Sequence, residues 1–170
     1  MVYALMRFAP ARSTPRDCGS APQIPLPILK LRLANPSDVV DLSSIAELKG
    51  ITVDGDTVTI GAMTLHAEVA GSADVCAKIP ALADLTESIG DLQVRNRGTI
   101  GGSIANNDPA ADYPAAVVGL GATVHTNART IAADDFFTGL LETALNDGEI
   151  ITAVSFPVPD KAAYQKYGNP

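Results

Sequence analysis

Hydrophobic and polar positions alternate most clearly at two places along the chain. In ITVDGDTVTIGAM (51–63), two β-branched runs flank Asp54-Gly55, the dipeptide favoured where a type I′ turn needs positive φ; this predicts a β-hairpin. In EIITAVSFPVP (149–159) the alternation predicts a strand, and ATVHT (122–126) predicts another. Between hairpin and strands, TLHAEVAGSADVCAKIPALADLTESIG (64–90) changes to helical spacing. Leu65 and Val69 repeat at four, with Thr64 as N-cap and Gly71 as stop; Ser72 caps a second short helix. Leu82, Leu85 and Ile89 follow Ile79 along a third, with Pro80 in its first turn and Gly90 at its end. Pro114 opens a short helix over 115–118 that Gly121 closes, and IAADDFFTGLL (131–141) is mixed, with Phe136, Phe137, Leu140 and Leu141 as an apolar cluster. One antiparallel hairpin with irregularly interleaved helices predicts an α+β fold, not a doubly wound parallel sheet.

Upstream, PILKLRLANPSDVVDLSSI (27–45) holds a short apolar segment over 28–33, a turn at Asn35-Pro36, a short strand around Val39, Val40 and Leu42, and Ser43 or Ser44 capping one helical turn through Leu48. Before that, Pro10, Pro15, Pro22, Pro25 and Pro27 fall too densely for a helix or a central strand. Residues 1–24 therefore read as a poorly ordered leader.

The chain has 170 residues, of which 46% are hydrophobic and 18% charged, enough for one domain with a real core. No apolar run reaches the length of a bilayer crossing, and the N-terminus lacks signal-peptide character, so the cytoplasm is the expected location. The net charge of −7 comes without a basic stripe, which argues against nucleic-acid binding; Arg95 with Arg97 would serve one small anion. Cys18, Cys76, His66 and His125 lie far apart, with no metal-ligand spacing, and no Ser-His-Asp arrangement is visible.

Two glycine-rich stretches invite a phosphate reading. VVGLGATV (117–124) lacks the third glycine and the flanking strand and helix of a dinucleotide fingerprint, and GTIGGS (98–103) lacks the lysine of a phosphate loop. The wider stretch RNRGTIGGSIANNDPAADYPA (95–115) is more informative. Adjacent Gly101 and Gly102 allow a concave nest of main-chain N–H groups that binds anionic oxygens, with the Thr99 and Ser103 hydroxyls at its rim. Asp108 and Asp112 would repel a phosphate and suit sugar hydroxyls or a ring N–H. A pyrophosphate with hydroxyls nearby describes a dinucleotide such as FAD. A tight turn followed by Asx-turns at Asn106, Asn107 and Asp108 explains the same residues without a ligand.

VRNRGTIGGSIANNDPAADYPA (94–115), preceded by LPILKLRLANPSDVVDL (26–42) and IPALADLTESIGDLQ (79–93), resembles the FAD-binding medium subunit of molybdenum hydroxylases. This is the family of xanthine dehydrogenase and aerobic carbon monoxide dehydrogenase. The likeness runs from Leu26 to the end of the chain. It implies an α+β fold of the vanillyl-alcohol-oxidase/PCMH type that binds an extended FAD, here incomplete, with the FAD-binding domain over 25–160. Thr99, Ile100, Gly101, Gly102 and Ser103 would line the pyrophosphate, and Asp112 and Asp108 the hydroxyls. Tyr164-Gln165-Lys166-Tyr167 matches the start of the family's C-terminal subdomain, here 161–170, where Lys166 would approach the flavin and favour its anionic reduced form. The implied role is electron transfer from [2Fe–2S] clusters on a small subunit through FAD to an external acceptor, with the molybdopterin on a large subunit. No general base or nucleophile is required of this chain.

The sequence departs from the family twice. A glycine-pair turn normally precedes the LPILKLR stretch; here Ser20-Ala21-Pro22-Gln23-Ile24-Pro25 stands instead, and the abrupt change reads as a shifted frame or faulty start. The chain also stops before most of the C-terminal subdomain. Both departures predict weak FAD binding, and a non-catalytic remnant that keeps the fold without the cofactor is the alternative.

Overall fold

The computed structural model describes residues 40–167. The leader, the 28–33 segment, the Asn35-Pro36 turn and Val39 lie outside the described residues. At Val40 only an isolated bridge forms, and Leu42 is buried. A single 3-10 turn follows at Ala46–Leu48, without a serine cap: its N-cap is Ile45 and makes no side-chain bond. The amide of Ser43 instead donates to the Asp41 carboxylate at 2.8 Å.

The hairpin forms as β1 (Ile51–Asp54) and β2 (Thr57–Gly61). Its turn sits one residue later than the Asp54-Gly55 pattern suggests. Asp54 pairs with Thr57, and of the two loop residues Gly55 alone has positive φ, at 57°. That is the pattern of a type II′ turn, which needs glycine only at its first central position.

Three helices follow: α1 (His66–Ala70), α2 (Ala73–Lys78) and α3 (Pro80–Glu87). Ser72 caps α2, Pro80 occupies the first turn of α3, and Gly71 ends α1, as the sequence indicates. Thr64 does not cap α1. Its hydroxyl is drawn to the main chain of Gly50, with bonds of 3.0 and 3.1 Å, and Glu68 accepts the Leu65 N–H in its place. A short α4 (Leu92–Arg95) leads into α5 (Ile100–Asn106), and α6 (Tyr113–Gly119) follows. Next come β3 (Thr123–Thr126), β4 (Thr130–Ala132), α7 (Ala133–Phe136), a small ribbon of β5 (Phe137–Gly139) and β6 (Glu142–Thr143), and β7 (Ile151–Pro157).

The five-stranded sheet has the order β1-β2-β7-β3-β4 with every pairing antiparallel. The last strand is therefore central, inserted between two hairpins. Its register places Val58 opposite Phe156, and Ile60 and Val124 on either side of Val154. These residues form one face and join Val69, Ile79, Leu82, Leu85, Ile104, Val117 and Phe136 in a single core. The other face carries Thr59, His125 and Ser155, half-buried, whose polar atoms meet at 2.7–2.8 Å across three strands. The α+β expectation holds, with the helices on one face of an antiparallel sheet.

Candidate functional site

The GTIGGS stretch does not form a loop. Thr99 is the N-cap of α5 and accepts the Gly102 N–H at 3.2 Å, so the two glycines lie inside a helix. This contradicts the open nest of main-chain donors. The Ile100 amide donates to Thr64 O at 3.3 Å, Gly101 to Ala62 O at 2.9 Å and Ser103 to Thr99 O at 3.0 Å. Glycine disfavours helix interiors by about 1 kcal/mol, yet a tertiary contact decides here. A Cβ on Gly101 would stand 2.6 Å from Ala62 Cβ and 2.8 Å from its carbonyl oxygen, so only glycine lets α5 approach the chain leaving β2.

Residues 62–66 and 98–101 thus run side by side, joined by these bonds and by the Leu65–Thr99 bridge. Met63, Thr64 and His66 are buried, and Met63 and the half-buried Leu65 line a cavity of about 250 Å³ with Ser43, Lys49, Arg97 and Thr99. Arg97 lines this cavity, whereas Arg95 Nη1 donates to the Ile89 and Gly90 carbonyls, both at 3.1 Å.

Asp108 and Asp112 part company. Asp108 accepts the Ala110 N–H at 2.8 Å and is occupied by its own Asx-turn. Asp112 heads α6, and there the structure joins two residues expected at one cofactor. Lys166 Nζ lies 2.8 Å from Asp112 Oδ2, and the Tyr164 hydroxyl donates to Oδ1. Burial, helped by the Asp112 carboxylate, pushes the Tyr164 phenol up to about 12, so it remains a donor at neutral pH. Lys166 also reaches the Ser88 carbonyl, at 3.4 Å. The side chain of Ile100 is fully buried in the core and Thr99 is 2% exposed; Ser103 is half-buried.

His66 and Tyr113 complete the cluster, and neither announces itself in the sequence. Their rings lie 5.2 Å apart. Burial lowers His66 to about 4, against a smaller upward pull from Asp112, so its imidazole is neutral at pH 7. Burial pushes the Tyr113 phenol above its ordinary range, and its oxygen lies 3.2 Å from the Thr86 hydroxyl. The only trace of this pocket in the sequence is Gly98, whose lack of a side chain leaves room for the His66 ring.

The family described as "FAD binding domain in molybdopterin dehydrogenase" matches residues 24–159. The chain belongs to this family. It is 43% identical over 148 residues to the carbon monoxide dehydrogenase medium chain of Afipia carboxidovorans, covering 83% of this chain and 51% of that one. It is 39% identical over 147 residues to the glyceraldehyde dehydrogenase medium chain of Sulfolobus acidocaldarius, covering 83% and 52%. Among solved structures, carbon monoxide dehydrogenase from Hydrogenophaga pseudoflava superposes with a TM-score of 0.75 at 42% identity, over 78% of this chain and 48% of that chain. The chain spans about half the length of the curated relatives it matches. Among the described residues, no helix is long and apolar enough to cross a membrane.

The family's cofactor is FAD, and the side chains present suit it better than the main chain does. Asp112 offers acceptors and Lys166 a cation, Thr99 and Ser103 carry hydroxyls, and the buried Nδ1 of His66 has no hydrogen-bond partner. The first-turn amides of α5 are already bonded within the protein.

Proposed function

We propose that this chain holds FAD in the medium subunit of a multi-subunit molybdenum hydroxylase, passing electrons from [2Fe–2S] clusters to an external acceptor. The observation that carries the reading is the meeting of Asp112 and Lys166 at 2.8 Å from positions 54 apart in sequence. FAD supplies the redox chemistry when bound, and the chain's part is to bind, orient and tune. Asp112 would accept from sugar hydroxyls of FAD, and Lys166, fixed by Asp112, would supply the positive charge that favours the anionic reduced flavin. Of Thr99, Ile100, Gly101, Gly102 and Ser103, the two hydroxyl residues would help hold the pyrophosphate, and the buried Ile100, Gly101 and Gly102 would fix their position. The Thr99 and Ser103 hydroxyls, with Lys49 and Arg97 of the adjoining cavity, would meet the pyrophosphate charge in place of the bonded amides. Asp108 shapes the loop before α6. A molybdopterin-bearing large subunit and a [2Fe–2S] small subunit are the proposed partners, in the cytoplasm.

The experiment is titration of the purified chain with FAD, followed by flavin fluorescence and by the visible spectrum after gel filtration. Saturable quenching reversed by charge-removing changes at Lys166 and Asp112 supports the reading; no quenching at any attainable concentration overturns it. A second reading, a remnant that keeps the fold without the cofactor, has one observation on its side, the bonded amides of α5. A chain that stays colourless and causes no quenching would favour it.

A further inference from the structure

His66 is 5% exposed, and its Nδ1 is the one buried side-chain nitrogen or oxygen without a hydrogen-bond partner among the described residues. Native interiors contain few such atoms, because an unpaired polar group loses its water without compensation. None of the described neighbours pairs with Nδ1. Gly98, against which the ring packs, has no side chain to offer. The Tyr113 hydroxyl is met by Thr86, and each Asp112 oxygen has one partner, Tyr164 or Lys166, and makes no bond to His66. The ring is also fixed in place, since the His66 amide donates to Gly98 O at 3.0 Å and the imidazole lies against Tyr113.

The state of the imidazole selects the chemistry of its missing partner. A neutral ring attracts a phosphate weakly, and a phosphate oxygen only accepts, so it would serve one tautomer alone. A hydroxyl both donates and accepts and satisfies Nδ1 in either tautomer. Asp112, close enough for its charge to be felt at His66, is an acceptor of the kind that binds polyols.

We propose that Nδ1 of His66 hydrogen-bonds a sugar hydroxyl of the bound flavin nucleotide, beside the hydroxyl taken by Asp112. His66 is then a binding residue of the cofactor site, and the inference rests on the FAD reading above. The ribityl chain and the adenosine ribose both carry such hydroxyls, and riboflavin and AMP separate them.

The test uses the wild-type chain labelled with ¹⁵N-histidine. It has two histidines, so His125 on the far face of the sheet is an internal control. FAD is expected to shift the His66 ring-nitrogen resonance and leave that of His125 in place. Riboflavin repeating the shift assigns the ribityl chain; AMP repeating it assigns the ribose. His66→Leu, which keeps an apolar filling, is expected to bind FAD about fivefold more weakly, as for one lost neutral hydrogen bond, with no loss of thermal midpoint. His66→Gln, able to donate and accept, is expected to keep most of the affinity. If FAD quenches normally while the His66 nitrogens do not move, the His66 proposal falls and the FAD reading stands. If FAD does not bind at all, both fall.

Discussion

The Glu149 carboxylate shows how much one side chain can organise. Its side chain is 3% exposed and accepts from Arg129 Nε at 3.0 Å and Nη2 at 3.2 Å. The amide and side chain of Asn146 also donate to it, at 2.8 and 2.9 Å, and the Thr126 hydroxyl lies 2.7 Å away. Together these tie the β3–β4 turn to the loop before β7. The Arg129 hydrogen bond is the main reason the carboxyl falls from 4.5 to about 2. Because the folded form holds its proton less tightly, this stabilisation is complete above pH 4.5 and is lost as pH falls from 4.5 to 2. Glu149→Gln is expected to cost about 2 kcal/mol at pH 7, in line with loss of charge-assisted bonds, read as a lower urea midpoint at unchanged slope. His66 acts in a higher window. Its folded value, about 4, lies below the ordinary 6.5, so the folded state again binds fewer protons and stability declines as pH drops from 6.5 to 4. His66→Leu should flatten the stability profile across that upper window, while Glu149→Gln should flatten the lower one. Urea midpoints at half-unit pH steps would show whether the two limbs separate.

At the level of elements, α5 marks the limit of what the sequence alone conveys. Local patterning sufficed for the hairpin, the Ser72 cap and the Pro80 helix start, because each depends on neighbours within a few positions. It sufficed for β7 as a strand, though not for its central place, which depends on pairing with residues about a hundred positions earlier. Two glycines in a polar, proline-flanked stretch read as a loop, but Gly101 is small in order to let a helix touch Ala62, a reason that exists only in three dimensions. The same limit hid His66, whose pocket is made by Gly98 and Tyr113. Of the residues assigned to the candidate site, Asp112 and Lys166 meet, whereas Asp108 is held in its own turn and the main-chain donors are spent on the fold. Gly101→Ala separates propensity from packing. Propensity alone predicts a gain of about 1 kcal/mol. The close approach to backbone at Ala62 predicts instead a loss of about 1–3 kcal/mol, as for overpacking. Chemical denaturation gives the sign directly; a stabilised variant would mean that α5 can move away from β2 at little cost.

For the whole molecule, the decisive contact is the one that carries the segment after β7 back to the body of the domain. Residues 158–167 form no regular element. They are held by the Val158 amide on Asp56 O, by Lys166 on Ser88 O, and above all by Tyr164 and Lys166 converging on Asp112. Asp112 is 10% exposed at its side chain and Lys166 39%, so the ion pair contributes modestly, about 0.2–1 kcal/mol for a pair open to solvent. Its consequence is positional. Asp112→Asn, Tyr164→Phe and Lys166→Met should each leave the unfolding midpoint of the domain nearly unchanged, while trypsin cleaves after Lys161 sooner. Flavin affinity then distinguishes two roles for Asp112. If it acts only by holding Lys166, Asp112→Asn and Lys166→Met weaken FAD binding equally, and the double variant is no worse than either. If Asp112 also accepts a sugar hydroxyl, its replacement costs more than the loss of Lys166, by about tenfold for one charge-assisted hydrogen bond, and the double variant exceeds both. The second outcome is expected, because Asp112 has four lone-pair directions and its two partners in the structure use two.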